Sequence, residues 1–268
     1  MPGMQVHRFF ASPEVIDNGT IRLTAEESHH LARVLRLREG EKVSAFDGLG
    51  NEWECEIAAI HKSECRLSIL KKLETVVESP LRLTLAQALV KGEKFDLVVQ
   101  KATELGVSRI LPVITEHCEI RISDERSEQR LQRWQRISLG AIKQSGRRRL
   151  VEIDQPVRFQ QFCRDLQGEP ALIFSEKAGS EKAGSEKSGS EKSGSEKSGR
   201  GLPPLAVQDS GLTVVIGPEG GWSDDEIDLA TSSGLIPVHL GPRILRTETA
   251  AITAVTLAQY HYGDLAQF

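Results

Sequence analysis

Two segments late in this 268-residue chain combine residue types that could do chemistry. The first reads Val214-Val215-Ile216-Gly217-Pro218-Glu219-Gly220-Gly221-Trp222-Ser223. Its apolar start predicts a buried strand. Its glycines predict a turn whose main-chain groups approach a ligand closely, at the strand end where open α/β sheets bind ligands. Such a corner can cradle a phosphate at a helix N-terminus, yet the spacing fits neither GxxxxGKS/T nor GxGxxG, and Glu219 disfavours an anion. A neutral or cationic ligand fits better. The second segment reads Leu240-Gly241-Pro242-Arg243-Ile244-Leu245-Arg246-Thr247-Glu248-Thr249-Ala250-Ala251. Again a strand enters a rigid turn and then a helix. Residues 200–268 carry eight acidic and only three basic side chains, and Arg243 and Arg246 are two of those three. An arginine beside a helix start opposes the helix dipole, so the placement points to function or to a specific pair, with Glu248 at hand.

The elements that must position these corners are legible in the hydrophobic pattern. From Pro80 onward, strands at 81–86, 110–114, 150–153, 171–174, 212–216 and 238–241 alternate with helices at 94–104, 124–143, 224–233 and 247–262. This alternation implies a mostly parallel sheet covered on both faces. Ser223 followed by Glu226 forms a capping box for the third of these helices. Residues 1–75 read differently: short, partly alternating runs at 21–23, 42–46, 52–57 and 65–70 suggest a small β-barrel, interrupted by a helix at 25–38. The turn at 47–51 joins two of the strands. We therefore expect two domains, 1–75 and 76–268. Residues 175–199 are five copies of Ser-Glu-Lys-Ala/Ser-Gly, read as a flexible insertion in a surface loop.

Composition excludes several classes. No apolar run reaches the ~18 residues of a membrane-spanning helix, and the N-terminus does not read as a secretory signal. The four cysteines include no CxxC pair, so neither a zinc framework nor a disulfide scaffold is expected; no metal is implied, and a reducing cytoplasm is the simplest setting. The formal charge is -4, yet residues 121–149 hold nine basic and three acidic side chains. A solvated helix face accounts for Arg126, Arg130 and Arg133 at spacings of four and three. The three adjacent arginines Arg147, Arg148 and Arg149 point in different directions, which favours a surface for a polyanion.

The string IGPEGGWSDDEI followed by LGPRILRTETAA strongly resembles the RsmE family of bacterial 16S rRNA uridine-N3 methyltransferases, within the SPOUT class that uses S-adenosyl-L-methionine (SAM). The resemblance covers nearly the whole chain. His7-Arg8-Phe9-Phe10, His30, Val34-Leu35-Arg36, Gly40 and the 47–51 turn match the family's PUA-like RNA-binding domain. Lys101-Ala102-Thr103-Glu104-Leu105-Gly106-Val107 and Gln144-Ser145-Gly146-Arg147 match motifs of its catalytic domain. The repeat departs from the shorter connector found in the family. The resemblance implies an α/β trefoil-knot domain behind the PUA-like barrel, a homodimer with active sites near the interface, and SAM bent within the knot. Main-chain groups of Ile216, Gly217, Pro218, Glu219, Gly220 and Gly221 would hold SAM from one side. Leu240, Gly241, Leu245, Thr249 and Ala250 would hold it from the other.

The residues can be weighed against that chemistry. A sulfonium donor tolerates an acidic glycine turn. Uracil N3 is a weak nucleophile until its proton leaves, and the resulting charge spreads onto O2 and O4. An arginine there would stabilise the anion as an oxyanion hole does, which points to Arg246 and then Arg243. Glu219 or Glu248 could accept the proton or hold the arginine. A carboxylate pKa near ~4 makes a poor base for so weak an acid and favours the holding role. Arg8, Lys91, Lys94, Gln144, Arg147 and Arg148 are the RNA-contact candidates, with 16S rRNA in the small ribosomal subunit as the implied partner. Methylation of a ribose 2′-hydroxyl or of guanine N1, or a non-catalytic role in ribosome assembly, are the alternative readings.

Overall fold

A computed structural model describes residues 6–61, 64–74, 78–118, 124–166, 168–176, 202–205, 207 and 211–266. The chain forms two compact units, one of residues 1–78 and 139–150, the other of 79–138 and 151–268. The first thus draws in a segment from mid-chain.

The first unit contains β1 (Arg8–Phe10), β2 (Ile16–Asp17), β3 (Thr20–Arg22), α1 (Ala25–His29), β4 (Lys42–Phe46), β5 (Glu52–Ile60) and β6 (Cys65–Lys72). The strands form one sheet in the order β1-β4-β5-β6-β3-β2, curled into a half-barrel. Among the described residues its edges, β1 and β2, are not paired to each other, so the small barrel expected from the strand pattern takes the form of a half-barrel. Alternation along β5 and β6 turns Cys55, Ile57, Cys65 and Leu67 inward, where they join Phe9, Ile21, Leu31 and Val43 in an apolar core. The helix expected at 25–38 is shorter. Thr24 caps α1, a π-helical turn follows at His30–Val34, and Arg36 then adopts a left-handed backbone with φ 56°.

The second unit contains β7 (Leu83–Ala88), α2 (Lys94–Glu104), β8 (Arg109–Ile114), most of α3 (Asp124–Ser145), β9 (Glu152–Ile153), β10 (Val157–Arg158), α4 (Phe159–Asp165), β11 (Ala171–Phe174), β12 (Leu212–Ile216), α5 (Asp224–Ser232), β13 (Ile236–Val238) and α6 (Thr247–Tyr262). All pairings in its sheet are parallel, in the order β10-β8-β7-β12-β11-β13, with β9 also against β8. Two expected strands differ: 150–153 shortens to β9, and in place of 238–241 the strand is β13, which begins at Ile236 and ends before the Gly-Pro turn. β12 lies inside the sheet with every residue buried, which is why it reads as a continuous apolar run. On α6, Ala251, Ala254, Val255 and Ala258 recur at helical spacing as a buried stripe of small side chains. This stripe lets the helix approach α2, β7 and β12 closely. Phe95 of α2 stacks on Trp134 of α3 with ring centroids 4.3 Å apart.

Of the repeat, 177–199 lie outside the described residues, as does Arg121. Among the described residues, no helix is long and apolar enough to cross a membrane, and no His, Cys, Asp and Glu cluster could hold a metal. The four cysteines are thiols rather than disulfide halves, and burial pushes Cys55 up to about 12 and Cys163 to about 11.

Candidate active site

In a parallel sheet the strand C-termini share one edge, and four of them supply the site. The turn after β12, the 239–247 segment after β13, Ser175 and Glu176 after β11, and His117 beyond β8 line one cavity of about 430 Å³. The volume lies within the ~300–1,000 Å³ usual for small-molecule sites. The two glycine corners, some twenty residues apart in sequence, therefore face the same space.

The first corner is fixed by its neighbours. Trp222 donates from Nε1 to the Phe174 carbonyl at 2.9 Å, and its ring lies 3.0 Å from where a Gly217 side chain would begin. A Cβ on Gly220 would meet the His117 Cβ at 2.9 Å. The His117 ring Nδ1 lies 3.1 Å from the Gly221 carbonyl oxygen. Gly221 turns the chain with φ 70°, and its amide donates to the Pro218 carbonyl at 3.0 Å. The capping box then starts α5: the Ser223 hydroxyl accepts from the Glu226 amide, and the Glu226 carboxylate accepts from the Ser223 amide. The same carboxylate accepts from the Glu116 amide at 2.8 Å, tying the turn to the end of β8.

The second corner turns at Gly241, φ 84°, and ends at Arg246, the residue that precedes α6 with extended backbone. Arg243, Ile244 and Arg246 line the cavity and are exposed to solvent, Ile244 at 80 %. Lys94, at the start of α2, donates to Glu219 at 2.9 Å. That hydrogen bond raises the Lys94 ammonium above its ordinary value; Glu248 acts in the same sense and Arg246 against it, so four charged groups share one neighbourhood.

Most of the expected cofactor residues meet here. Ile216, Gly217, Pro218, Glu219, Gly220, Gly221, Leu240, Gly241, Leu245 and Ala250 line the cavity, as do Arg243 and Arg246. Thr249 and Glu248 do not. Thr249 is exposed on the first turn of α6. One Glu248 carboxylate oxygen is buried without a hydrogen-bond partner among the described residues. Sequence reasoning missed His117, Phe174, Ser175, Glu176, Trp222, His239, Ile244 and Thr247 as lining groups. Trp222, Ile244 and Thr247 lie within the two segments themselves, and His239 immediately precedes the second. His117 and the 174–176 segment come from strands that only the fold brings near.

The RNA candidates divide. Lys91 and Gln144 are exposed, and Lys94 is engaged by Glu219. Arg147 and Arg148 do not form the exposed basic surface expected of them, because both are buried in the first unit. Arg147 donates to Glu78 at 2.8 Å and Arg148 to Glu52 at 2.8 Å. Arg8 donates to Glu52 and to the carbonyls of Ile142, Lys143 and Arg147, and its guanidinium sits 4.8 Å from the Phe46 ring centre. Local charge counting cannot see carboxylates that arrive from elsewhere in the chain.

The cavity suits a SAM-sized cation. Its main-chain groups offer donors and acceptors, Glu176 and Glu219 offer negative charge, and the space beside Gly221 and Gly241 is open where side chains would otherwise project. Comparison with known proteins agrees. The family profile described as an RNA methyltransferase domain matches residues 77–259, and that described as an RNA methyltransferase PUA domain matches 23–70. The chain is similar to the ribosomal RNA small subunit methyltransferase E of Synechocystis, 35 % identical over 257 residues that cover 94 % of this chain and 77 % of that one. It is similar to the enzyme of the same name from Neisseria gonorrhoeae, solved with bound S-adenosyl methionine: 31 % identity, TM-score 0.83, covering 97 % of this chain and all of that one. A Legionella pneumophila protein solved with SAM is 36 % identical with a TM-score of 0.81, over 98 % of this chain and all of that one.

Proposed function

The chain belongs to the RsmE family of RNA methyltransferases, and from that premise we propose that it methylates N3 of a specific uridine in the 16S rRNA of the small ribosomal subunit, with SAM as donor. The observation that carries this reading is the meeting of both glycine corners on one cavity beside two exposed arginines. SAM supplies a methyl carbon made electrophilic by its sulfonium. The chain's part is to bind that donor through main-chain groups at 216–221 and 240–250, and to hold the pyrimidine in line behind the methyl carbon; such positioning can supply several kcal/mol.

Arg246 stabilises the charge that develops on O2 and O4 as the N3 proton leaves, with Arg243 beside it. Glu219 holds Lys94 in a charged neighbourhood that Glu248 and Arg246 share, and Glu248 is the carboxylate we assign to orienting Arg246. Neither carboxylate is needed as a strong base if the proton passes to water once the anion is stabilised. The homodimer belongs to the same proposal. Leu97, Ile244 and Tyr260 leave large apolar side chains in water on the second unit, as a subunit interface would.

The test begins with calorimetry of the purified chain with SAM. Labelled methyl transfer to small ribosomal subunits and mass-spectrometric mapping of the modified nucleotide follow. Absence of SAM binding sinks the reading. Label on a ribose or a guanine would move the activity to another RNA position.

A further inference from the structure

Behind the cavity lies a relay of buried hydrogen bonds that reaches a cavity-lining carbonyl. Gln87, on β7, is fully buried and does not itself line the cavity. Its Nε2 donates to the Thr247 hydroxyl at 3.0 Å and to the Ala88 carbonyl at 3.0 Å. The Thr247 hydroxyl, 4 % exposed at the first position of α6, donates to the Gly217 carbonyl at 2.7 Å.

A hydroxyl has one proton to give and lone pairs to receive. With that proton on Gly217, Thr247 can only accept from Gln87, so the chain runs one way from amide to hydroxyl to carbonyl. The reversed amide would set its oxygen against the Ala88 carbonyl, so the surroundings fix the orientation. The Gln87 Oε1 left over is buried without a hydrogen-bond partner among the described residues.

We propose that Gln87 and Thr247 are positioning residues for the donor cavity: they fix the Gly217 carbonyl and hold the start of α6 against the first glycine corner. The inference rests on the reading of this cavity as the SAM site. The relay is the hydrogen-bonded link from the interior of the sheet to both corners at once. Loosening it lets the two cavity walls drift apart while the strands and helices stay packed.

The test uses the full chain and the variants Thr247→Val, Thr247→Ser, Gln87→Met and the Thr247→Val/Gln87→Met double. SAM affinity is read by calorimetry and amide exchange over 214–222 by mass spectrometry. Thr247→Val and Gln87→Met should each weaken SAM by about tenfold, as expected for losing one buried hydrogen bond. Thr247→Ser should stay within about twofold, since it keeps the hydroxyl. The double variant should bind no more weakly than Thr247→Val, because residues in one relay are not additive. Exchange over 214–222 should quicken in both single variants without ligand. Parent-like affinity and exchange in Thr247→Val and Gln87→Met overturn the proposal, as do losses that simply multiply in the double. Should Thr247→Val fail to fold, parent-like binding and exchange in Gln87→Met overturn it alone. If the parent itself does not bind SAM, the donor-site reading fails, and the ligand-free exchange still decides the relay.

Discussion

Arg148 donates from Nε to Oε2 of Glu52 at 2.8 Å, with both side chains less than a tenth exposed. The other oxygen of the carboxylate accepts from Arg8 at 2.9 Å and from the Ser44 hydroxyl at 2.8 Å. One carboxylate therefore pairs with two guanidiniums that sequence separates by 140 positions. Removing it takes away their shared counter-charge and leaves them main-chain carbonyls alone. Glu52→Ala should destabilise the first unit by about 3–5 kcal/mol, the usual cost of breaking a buried pair. Urea denaturation followed by circular dichroism measures it, and a loss below about 1 kcal/mol would show that the pair behaves like a surface one.

Acid should attack the same place. Burial alone would raise the Glu52 carboxyl, but hydrogen bonds from Arg8 and Ser44 and the charges of Arg8 and Arg148 outweigh it and hold the group below its ordinary value of 4.5. A carboxyl lowered in the folded state contributes stability above its unfolded value, and that contribution disappears as pH falls through the folded one. Melting temperatures should therefore drop below pH 4.5 in the parent and drop less steeply in Glu52→Gln. Parallel curves for the two proteins would remove Glu52 from the acid response.

Gly220 and Gly221 should tolerate alanine differently. At Gly220 the obstacle is space, since the new methyl would meet the His117 Cβ at 2.9 Å, and that atom cannot swing away. At Gly221 the space is open but φ is 70°, which costs an alanine about 1–2 kcal/mol. Gly220→Ala should displace the His117 segment and weaken SAM binding more than Gly221→Ala does. Calorimetry of both variants decides, and the reverse order would show that backbone conformation governs the turn.

Arg246→Ala should bind SAM like the parent and lose about 100- to 1,000-fold in kcat, the scale seen when one oxyanion donor is removed. Single-turnover methyl transfer separates that step from binding. Methylation at the parent rate would take Arg246 out of the chemistry, and a loss confined to SAM affinity would make it a donor-binding group.

How much of this was legible depended on how local the signal was. The glycine corners, the Ser223–Glu226 box and the buried run of β12 are written within a dozen residues, and the structure has them where the sequence puts them. The helix at 25–38 was misread past its end, because Arg36 adopts a left-handed backbone that a helical pattern does not announce. Arg147 and Arg148 escape local reading for the opposite reason: their partners, Glu78 and Glu52, lie about 70 to 100 positions earlier in the chain. His117 carries no motif and reaches the cavity by strand order alone, and Gln87, which carries none either, sits behind it.

The borrowed stretch at 139–150 has a consequence for how the protein is made. A chain emerging from the ribosome presents residues 1–78 first, with Glu52 still lacking Arg148 and Glu78 still lacking Arg147. The half-barrel cannot complete its internal ion pairs until translation has passed position 150, well into the catalytic fold. The N-terminal module thus waits on its successor, and a truncation ending at residue 78 would leave Glu52 and Glu78 without Arg148 and Arg147, the arginines that pair with them in the intact protein.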